Sequence, residues 1–148
     1  MTKDVIVTIC GLQNGPETDG EPIEMIVGGE YFYRNNKHYI LYDEIVEDSR
    51  EIIKNTIKIH PDGMDVIKKG STSTHMVFEK NKKNLSSYMT PFGEMIVGIA
   101  TNDIRIEEEE NLLKVNVEYS LDINYEHVSD CNITVSVRAK GAVGVYGM

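Results

Sequence analysis

The stretch LKVNVEYSLDI, residues 113–123, decides the fold of this chain. Its apolar side chains occupy every second position, and polar side chains fill the positions between them. A period of two is typical of a strand with one dry face and one wet face. Strands of parallel sheets covered by helices are instead apolar throughout, so the alternation indicates an antiparallel sheet.

Similar strand-like runs follow one another along the chain, separated by short stretches with turn chemistry. Asn35-Asn36 predicts a two-residue hairpin, because Asn tolerates the positive φ angles of such turns. Pro61-Asp62-Gly63 predicts a second hairpin. These runs predict about ten strands. The eleven runs are residues 4–12, 23–27, 31–34, 37–45, 52–60, 64–68, 74–80, 85–90, 92–106, 113–123 and 131–137.

Two places in this pattern predict an irregularity. Gly28-Gly29 separates two of the runs, and we expect Gly29 to form a corner of the sheet. In residues 92–106 the apolar side chains change parity, and a bulge near residues 101–103 would reconcile the two halves. The acidic run at residues 107–111 is expected to form a charged turn.

The predicted fold is all-β: an antiparallel closed barrel of about eight to ten strands. Many short strands joined by hairpins leave two sheet edges, which invite aggregation unless the sheet closes or a second sheet covers them. A sandwich of two sheets remains the alternative, because alternation alone does not distinguish the two. The 148 residues fit one domain, 1–148, with residues 139–148 as a loose glycine-containing tail.

Composition excludes several classes of partner. The formal net charge of −9 opposes binding to nucleic acid or to an anionic membrane, whose affinity comes largely from basic residues. No apolar stretch approaches the roughly 20 residues that span a bilayer, and the first ten residues lack secretory-signal character. We therefore expect a cytoplasmic protein, in which Cys10 and Cys131 remain thiols.

Two segments and the final pair of strands carry a resemblance to a known family. GGEYFYRNNKHYILYDE at residues 28–44 and YMTPFGEM at residues 88–95 resemble the YwiB-like proteins, small proteins of Gram-positive bacteria with a lipocalin-like, calycin-type barrel. The similarity runs from about residue 5 to about residue 138. It implies a closed antiparallel barrel and brings no activity, substrate or catalytic residue with it.

The interior of such a barrel sets the functional question, because about eight strands enclose space either for their own side chains or for one small ligand. Tyrosines that share parity with apolar neighbours could stack on a ligand and orient it, or they could pack a filled core. Arg105 would point inward, and would then bind a carboxylate or phosphate, if its strand kept the register of Met95 and Val97. The candidate ligand-binding residues are Tyr31, Tyr33, Tyr42, Phe78, Tyr88, Arg105 and Tyr119.

No spacing in the sequence specifies a reaction, a metal site or a cofactor. The four histidines lie in different strands or turns without zinc-ligand spacing, and we expect them at surface or turn positions. We therefore expect a non-enzymatic barrel that binds a small apolar or amphipathic ligand. The alternative is a filled barrel that acts through its outer surface as an interaction or scaffolding module, with homodimerisation as one form of it.

Overall fold

The computed structural model describes residues 2–12, 22–45, 50–70 and 73–140, which form ten strands of a single antiparallel sheet. No helix in these ranges has the length and apolarity needed to cross a membrane. The prediction of an all-β antiparallel fold is confirmed. The strands are β1 (Asp4–Leu12), β2 (Pro22–Arg34), β3 (Lys37–Ile45), β4 (Ile52–His60), β5 (Gly63–Lys69), β6 (Thr74–Glu79), β7 (Lys83–Thr90), β8 (Gly93–Glu109), β9 (Leu112–Ile123) and β10 (Glu126–Ala139).

The order of the strands brings the two edges of the sheet together. It runs β6-β5-β4-β3-β2-β1-β10-β9-β8-β7, so the edge strands β6 and β7 are consecutive in the chain. The hydroxyls of Ser86 and Tyr88 on β7 donate to the backbone carbonyl of His75 on β6, at 3.1 and 3.4 Å. Because these contacts replace a backbone ladder at the seam, the sheet forms a nearly closed barrel, as predicted, and not a sandwich.

The interior of the barrel is filled by its own side chains. The inward residues of every strand except β7 contribute buried members to one apolar cluster, against which Tyr88 of β7 packs. Phe78, Ile40 and Leu113 are among those with 1% exposure or less. The sequence left open whether the interior is filled by side chains or holds a ligand. The middle of the barrel is filled by side chains. Its buried residues are Val5, Val7, Tyr31, Ile40, Tyr42, Ile57, Ile59, Met64, Phe78, Val97, Ile99, Leu113, Val115, Val117, Val135 and Val137.

A bulge in β8 occurs where the change of parity predicts it. The register with β9 shifts between Thr101 and Asp103, so the inward series continues as Ile104 and Ile106. The same extra residue makes the inward orientation predicted for Arg105 wrong. Its side chain is 75% exposed, and its Nε donates to Asp103 at 3.0 Å.

Two other boundaries differ from the sequence prediction. β8 continues through Glu109, so the expected turn at residues 107–111 is shortened to Glu110 and Asn111. At the other end of the chain Ala139 is a buried member of β10 that pairs with Val5. The predicted loose tail therefore does not begin at residue 139, and residues 141–148 lie outside the described residues.

β2 passes unbroken through the two glycines, so the two strands predicted here are one. It pairs with β1 as far as Glu30, and from Glu30 onward it pairs with β3. Gly29 lies where the three strands meet: a Cβ at this position would be 2.7 Å from the carbonyl oxygen of Leu41 and 3.2 Å from Val7. A side chain at Gly28 would meet nothing within 4 Å. Gly29 is therefore required by close packing.

Cys10 and Cys131 are both thiols in the structure. Although β1 pairs with β10, Cys10 has the parity opposite to the core residues Val7 and Ile9. Cys131 is buried and pairs in register with Tyr119. The two side chains thus belong to opposite faces of the sheet.

These neighbouring glycines provide a matched test of the packing at the corner. Gly29→Ala should lower the free energy of unfolding by about 1–3 kcal/mol, because β3 backbone must move to admit the methyl group. Gly28→Ala adds the same methyl group in open space and should change it by no more than about 0.5 kcal/mol. Urea unfolding followed by circular dichroism measures both. Equal effects of the two substitutions would contradict this account of the corner.

Candidate functional site

A buried tyrosine, a buried histidine and an exposed glutamate meet at one end of the barrel. Asn35 and Asn36, with φ angles of 54° and 62°, form the predicted hairpin turn between β2 and β3. The turn fixes the register in which Tyr31 pairs with Ile40, and it carries His38 on the same inward face. The Tyr31 hydroxyl lies 2.7 Å from His38 Nδ1. His38 is only 6% exposed, so its predicted surface or turn location is wrong.

The glutamate comes from β8, a strand that does not pair with β3. The bulge in β8 places Glu108 on the same parity as Ile104 and Ile106, and its Oε1 lies 3.6 Å from His38 Nε2. The side chain of Glu108 is 61% exposed, against 8% for that of His38. A buried imidazole is therefore linked to solvent through a carboxylate that keeps most of its hydration.

Burial and charge determine the protonation of this group. Burial lowers the pKa of His38, and the neighbouring Glu108 carboxylate opposes part of that effect. Burial raises the pKa of Tyr31, and the negative charge of Glu108 and the nearby Tyr33 raise it further. At neutral pH the imidazole is neutral and the phenol is protonated. Glu108 favours the tautomer with the proton on Nε2, in which Nδ1 accepts from the Tyr31 hydroxyl.

A cleft of about 430 Å³ opens above this group. The ring of Tyr33, which is 57% exposed, stands with its centroid 4.9 Å from that of His38 and forms one wall. We call this cleft the mouth; its lining residues are Tyr33, Asn36, His38, His60, Pro61, Ile106 and Glu108.

The surface next to the mouth is acidic. A second cleft, of about 550 Å³, shares Glu108 with the mouth and is lined by Tyr31, Glu108, Glu109 and Glu110. Among the described residues, no lysine or arginine lines either cleft. The mouth therefore combines apolar surface with a negative electrostatic potential.

In the described part of the chain, no three His, Cys, Asp or Glu side chains are arranged to hold a metal ion. His60 and His75 instead contact the two separate oxygens of Asp65, at 3.4 and 2.9 Å. The mouth presents an aromatic face, aliphatic surfaces and one accessible carboxylate.

The candidate residues from the sequence are distributed over the whole barrel. Tyr31 and Tyr33 belong to the mouth or its floor, whereas Phe78 and Tyr119 pack edge to face in the core, with ring centroids 4.9 Å apart. Tyr42 is buried farther along β3. Tyr88 lies at the β6–β7 seam, and Arg105 is outside the barrel.

Of the seven lining residues of the mouth, sequence reasoning identified only Tyr33 as a site residue and missed six: Asn36, His38, His60, Pro61, Ile106 and Glu108. His38 could have been found, because the Asn35-Asn36 hairpin places it directly opposite Tyr33. The bulge likewise predicts an inward parity for Ile106. Nothing local to residue 108, however, indicates that it faces β3.

The lowered pKa of His38 predicts a pH-dependent contribution to stability. A folded-state pKa below the ordinary value of about 6.5 means that the unfolded chain binds the proton more readily. The contribution of neutral His38 is therefore fully present above about pH 6.5 and is lost as the pH falls below it. The advantage of wild type over His38→Gln in free energy of unfolding should shrink between pH 8 and pH 5, as measured by urea titration. A constant difference would contradict this assignment.

Comparison with known proteins agrees with the barrel. The chain is 25% identical over 122 residues to a curated Bacillus subtilis (strain 168) protein described as an uncharacterized beta-barrel protein, YwiB; the match covers 81% of this chain and 84% of that protein. The crystal structure of the ywiB protein from Bacillus subtilis superposes with a TM-score of 0.75 at 20% identity, covering 93% of this chain and 92% of that one.

The family assignment rests on the sequence itself. Residues 7–135 match the family described as a domain of unknown function, DUF1934. This range begins in β1 and ends in β10, so it includes the strands that form the barrel and every residue that lines the mouth. The resemblance to YwiB-like proteins is confirmed, and the chain belongs to the DUF1934 family.

Proposed function

We propose that the protein is a non-enzymatic binding protein that takes up a small amphipathic molecule, an apolar body carrying a protonated amine, at the mouth of the barrel. The observation that carries the proposal is the exposed Tyr33 ring beside a buried, neutral His38 and the accessible carboxylate of Glu108. The filled middle of the barrel supports the mouth over the interior as the binding place.

The walls of the mouth suit an apolar body. Tyr33, Pro61 and Ile106 provide one aromatic and two aliphatic surfaces. An aromatic face also attracts a cation placed over it, by about 0.5–1 kcal/mol at exposed sites. A flat or short-chain apolar group of modest size suits a cleft of this volume.

Glu108 favours a positively charged group on the ligand. Its carboxylate is 61% exposed, and it is close enough to the partly dry floor of the mouth to accept a charge-assisted hydrogen bond from a ligand. Glu109 and Glu110 extend the negative potential, and the net charge of −9 adds to it. These charges favour a cation and disfavour a carboxylate or phosphate.

Two features support binding without catalysis. The Tyr31 hydroxyl and His38 Nδ1 are already hydrogen-bonded to each other, and both are nearly buried. The raised pKa of Tyr31 keeps the phenol from serving as a base at neutral pH. Tyr31 and His38 therefore form a fixed floor of the mouth.

The second candidate is the interaction or scaffolding module, which the outer face of β2 and β3 favours. Ile26 and Leu41 are exposed there, and a cleft of about 470 Å³ is lined by Phe32, Arg34, Asn35, Tyr39 and Leu41. Lysines lie over two of these rings, Lys3 over Phe32 and Lys58 over Tyr39. They interrupt the apolar surface, which is why we rank this function second.

A matched pair of ligands tests the leading proposal. 2-Phenylethylamine and 3-phenylpropanoate share an apolar body and differ in the sign of the charge. In ¹H–¹⁵N spectra the amine should shift the signals of Tyr33, Ile106 and Glu108 and should bind roughly tenfold more tightly than the carboxylate, because it pairs with Glu108. Equal affinity of the two, or no shift at the mouth, would contradict the proposal.

Two adjacent glutamates supply the control for this experiment. Glu108→Gln should weaken binding of the amine roughly threefold to tenfold, since an exposed ion pair contributes about 1 kcal/mol. Glu107→Gln removes the same charge from the opposite face of β8 and should leave affinity within about twofold. Native mass spectrometry of the purified protein would add the subunit number and any retained mass, and a dimer without retained ligand would favour the second candidate.

A further inference from the structure

β2 and β3 separate beyond Glu30 and leave a cleft on the flank of the barrel. The ladder between the two strands runs from Arg34–Lys37 to Glu30–Leu41. Beyond it, β2 pairs with β1 and β3 pairs with β4. The space between them, about 510 Å³, we call the fork; it is lined by Gly28, Gly29, Glu30, Leu41, Tyr42, Asp43, Lys54, Asn55, Thr56 and Lys69.

Polar side chains lie behind the fork, on the inward face of the barrel. Tyr42 pairs with Asn55, and Asn55 pairs with Lys68, so the three form a row across β3, β4 and β5. Lys68 Nζ lies 3.1 Å from Glu44 Oε1, and Asn55 Nδ2 donates to the same oxygen at 2.9 Å. These charges compensate each other.

Asn55 is the member of this row without full hydrogen bonding. It is 1% exposed, and its Nδ2 donates to Glu44 and to the carbonyl of Ile53, which fixes the orientation of the amide. Its Oδ1 is buried and has no hydrogen-bond partner in the part of the chain that the structure describes. An unpaired buried amide oxygen destabilises a fold, so a donor at this position would be favourable.

We propose that the fork is a second binding site, for a small neutral molecule that presents an N–H or O–H donor to Asn55 Oδ1. The donor must come from outside the row, because both N–H groups of Asn55 are directed at other acceptors. Asn55 lines the fork, and Gly28 lies on its exposed outer rim, where a Cβ would meet nothing within 4 Å.

Most charges around the fork are paired, which favours a neutral ligand; of its charged lining residues, Lys69 has no ion pair among the described residues. Glu44 is paired with Lys68, and Asp43 on the outer side is paired with Lys54 at 3.7 Å. A charged ligand would have to compete with these pairs and would lose hydration on entering. A neutral amide or alcohol avoids both costs, although it must move aside the groups that bury Asn55 Oδ1.

The decisive experiment compares two lactams that differ by one donor. 2-Pyrrolidinone carries the N–H group, and N-methyl-2-pyrrolidinone lacks it. In ¹H–¹⁵N spectra 2-pyrrolidinone should give saturable shifts of the Asn55 side-chain amide and of the Gly28 and Gly29 backbone amides. The N-methyl compound should bind at least tenfold more weakly, because it leaves Oδ1 unpaired.

Variants locate the site and separate it from the mouth. Asn55→Leu removes the acceptor and should abolish the preference for the N–H lactam. Gly28→Val places a side chain at the outer rim of the fork, where a Cβ meets nothing within 4 Å, and should weaken binding at least threefold even if the Asn55 variant does not fold. Glu108→Gln should have no effect on lactam binding.

Three results would overturn the proposal. Equal binding of the two lactams would show that Oδ1 is not the recognition group. Shifts confined to the mouth would place the ligand there, and the response to Glu108→Gln would confirm it. Absence of saturable shifts up to the solubility limit would mean that water alone satisfies Asn55.

Discussion

The single extra residue in β8, between Thr101 and Asp103, is the constraint on which both the core and the mouth depend. Without it, the inward series beyond Thr101 would be residues 103, 105 and 107, an aspartate, an arginine and a glutamate. Burying such charges costs several kcal/mol each, which a domain stable by about 5–15 kcal/mol does not tolerate. The bulge places Ile104 and Ile106 inward instead, and it brings Glu108 to His38.

How much of this structure the sequence predicts depends on how local the information is. Strand alternation and turn residues are local, which is why the bounds of β1, β3 and β4 agree with the prediction and why the β8 bulge was expected. The orientation of Arg105 was predicted from a register without that bulge, and so it was wrong. His38 and Glu108 are 70 positions apart, and only closure of the sheet brings them together.

The position of a tyrosine along its strand decides whether it packs or is available to a ligand. Phe78 and Tyr119 meet in the middle of the barrel, and burial raises the pKa of Tyr119 well above its ordinary value. Tyr33, two residues beyond the buried Tyr31 on the same face, is mostly exposed because the strand ends there. Parity identifies all of these residues as inward, whereas depth within the barrel depends on the stagger of neighbouring strands and cannot be obtained from parity.

Hydrogen-bonding requirements explain why the two proposed sites lie far apart. His38 near the start of β3 and Glu44 near its end are six residues apart, or about 20 Å along an extended strand. Between them Ile40 and Tyr42 are buried, because that length of the strand lies against the apolar cluster. Polar groups at either end can share solvent or a ligand, which a polar group in the middle could not. At the mouth a neutral imidazole leaves the carboxylate charge uncompensated, whereas at the fork Lys68 compensates Glu44. We therefore propose a cation for one end of the barrel and a neutral donor for the other.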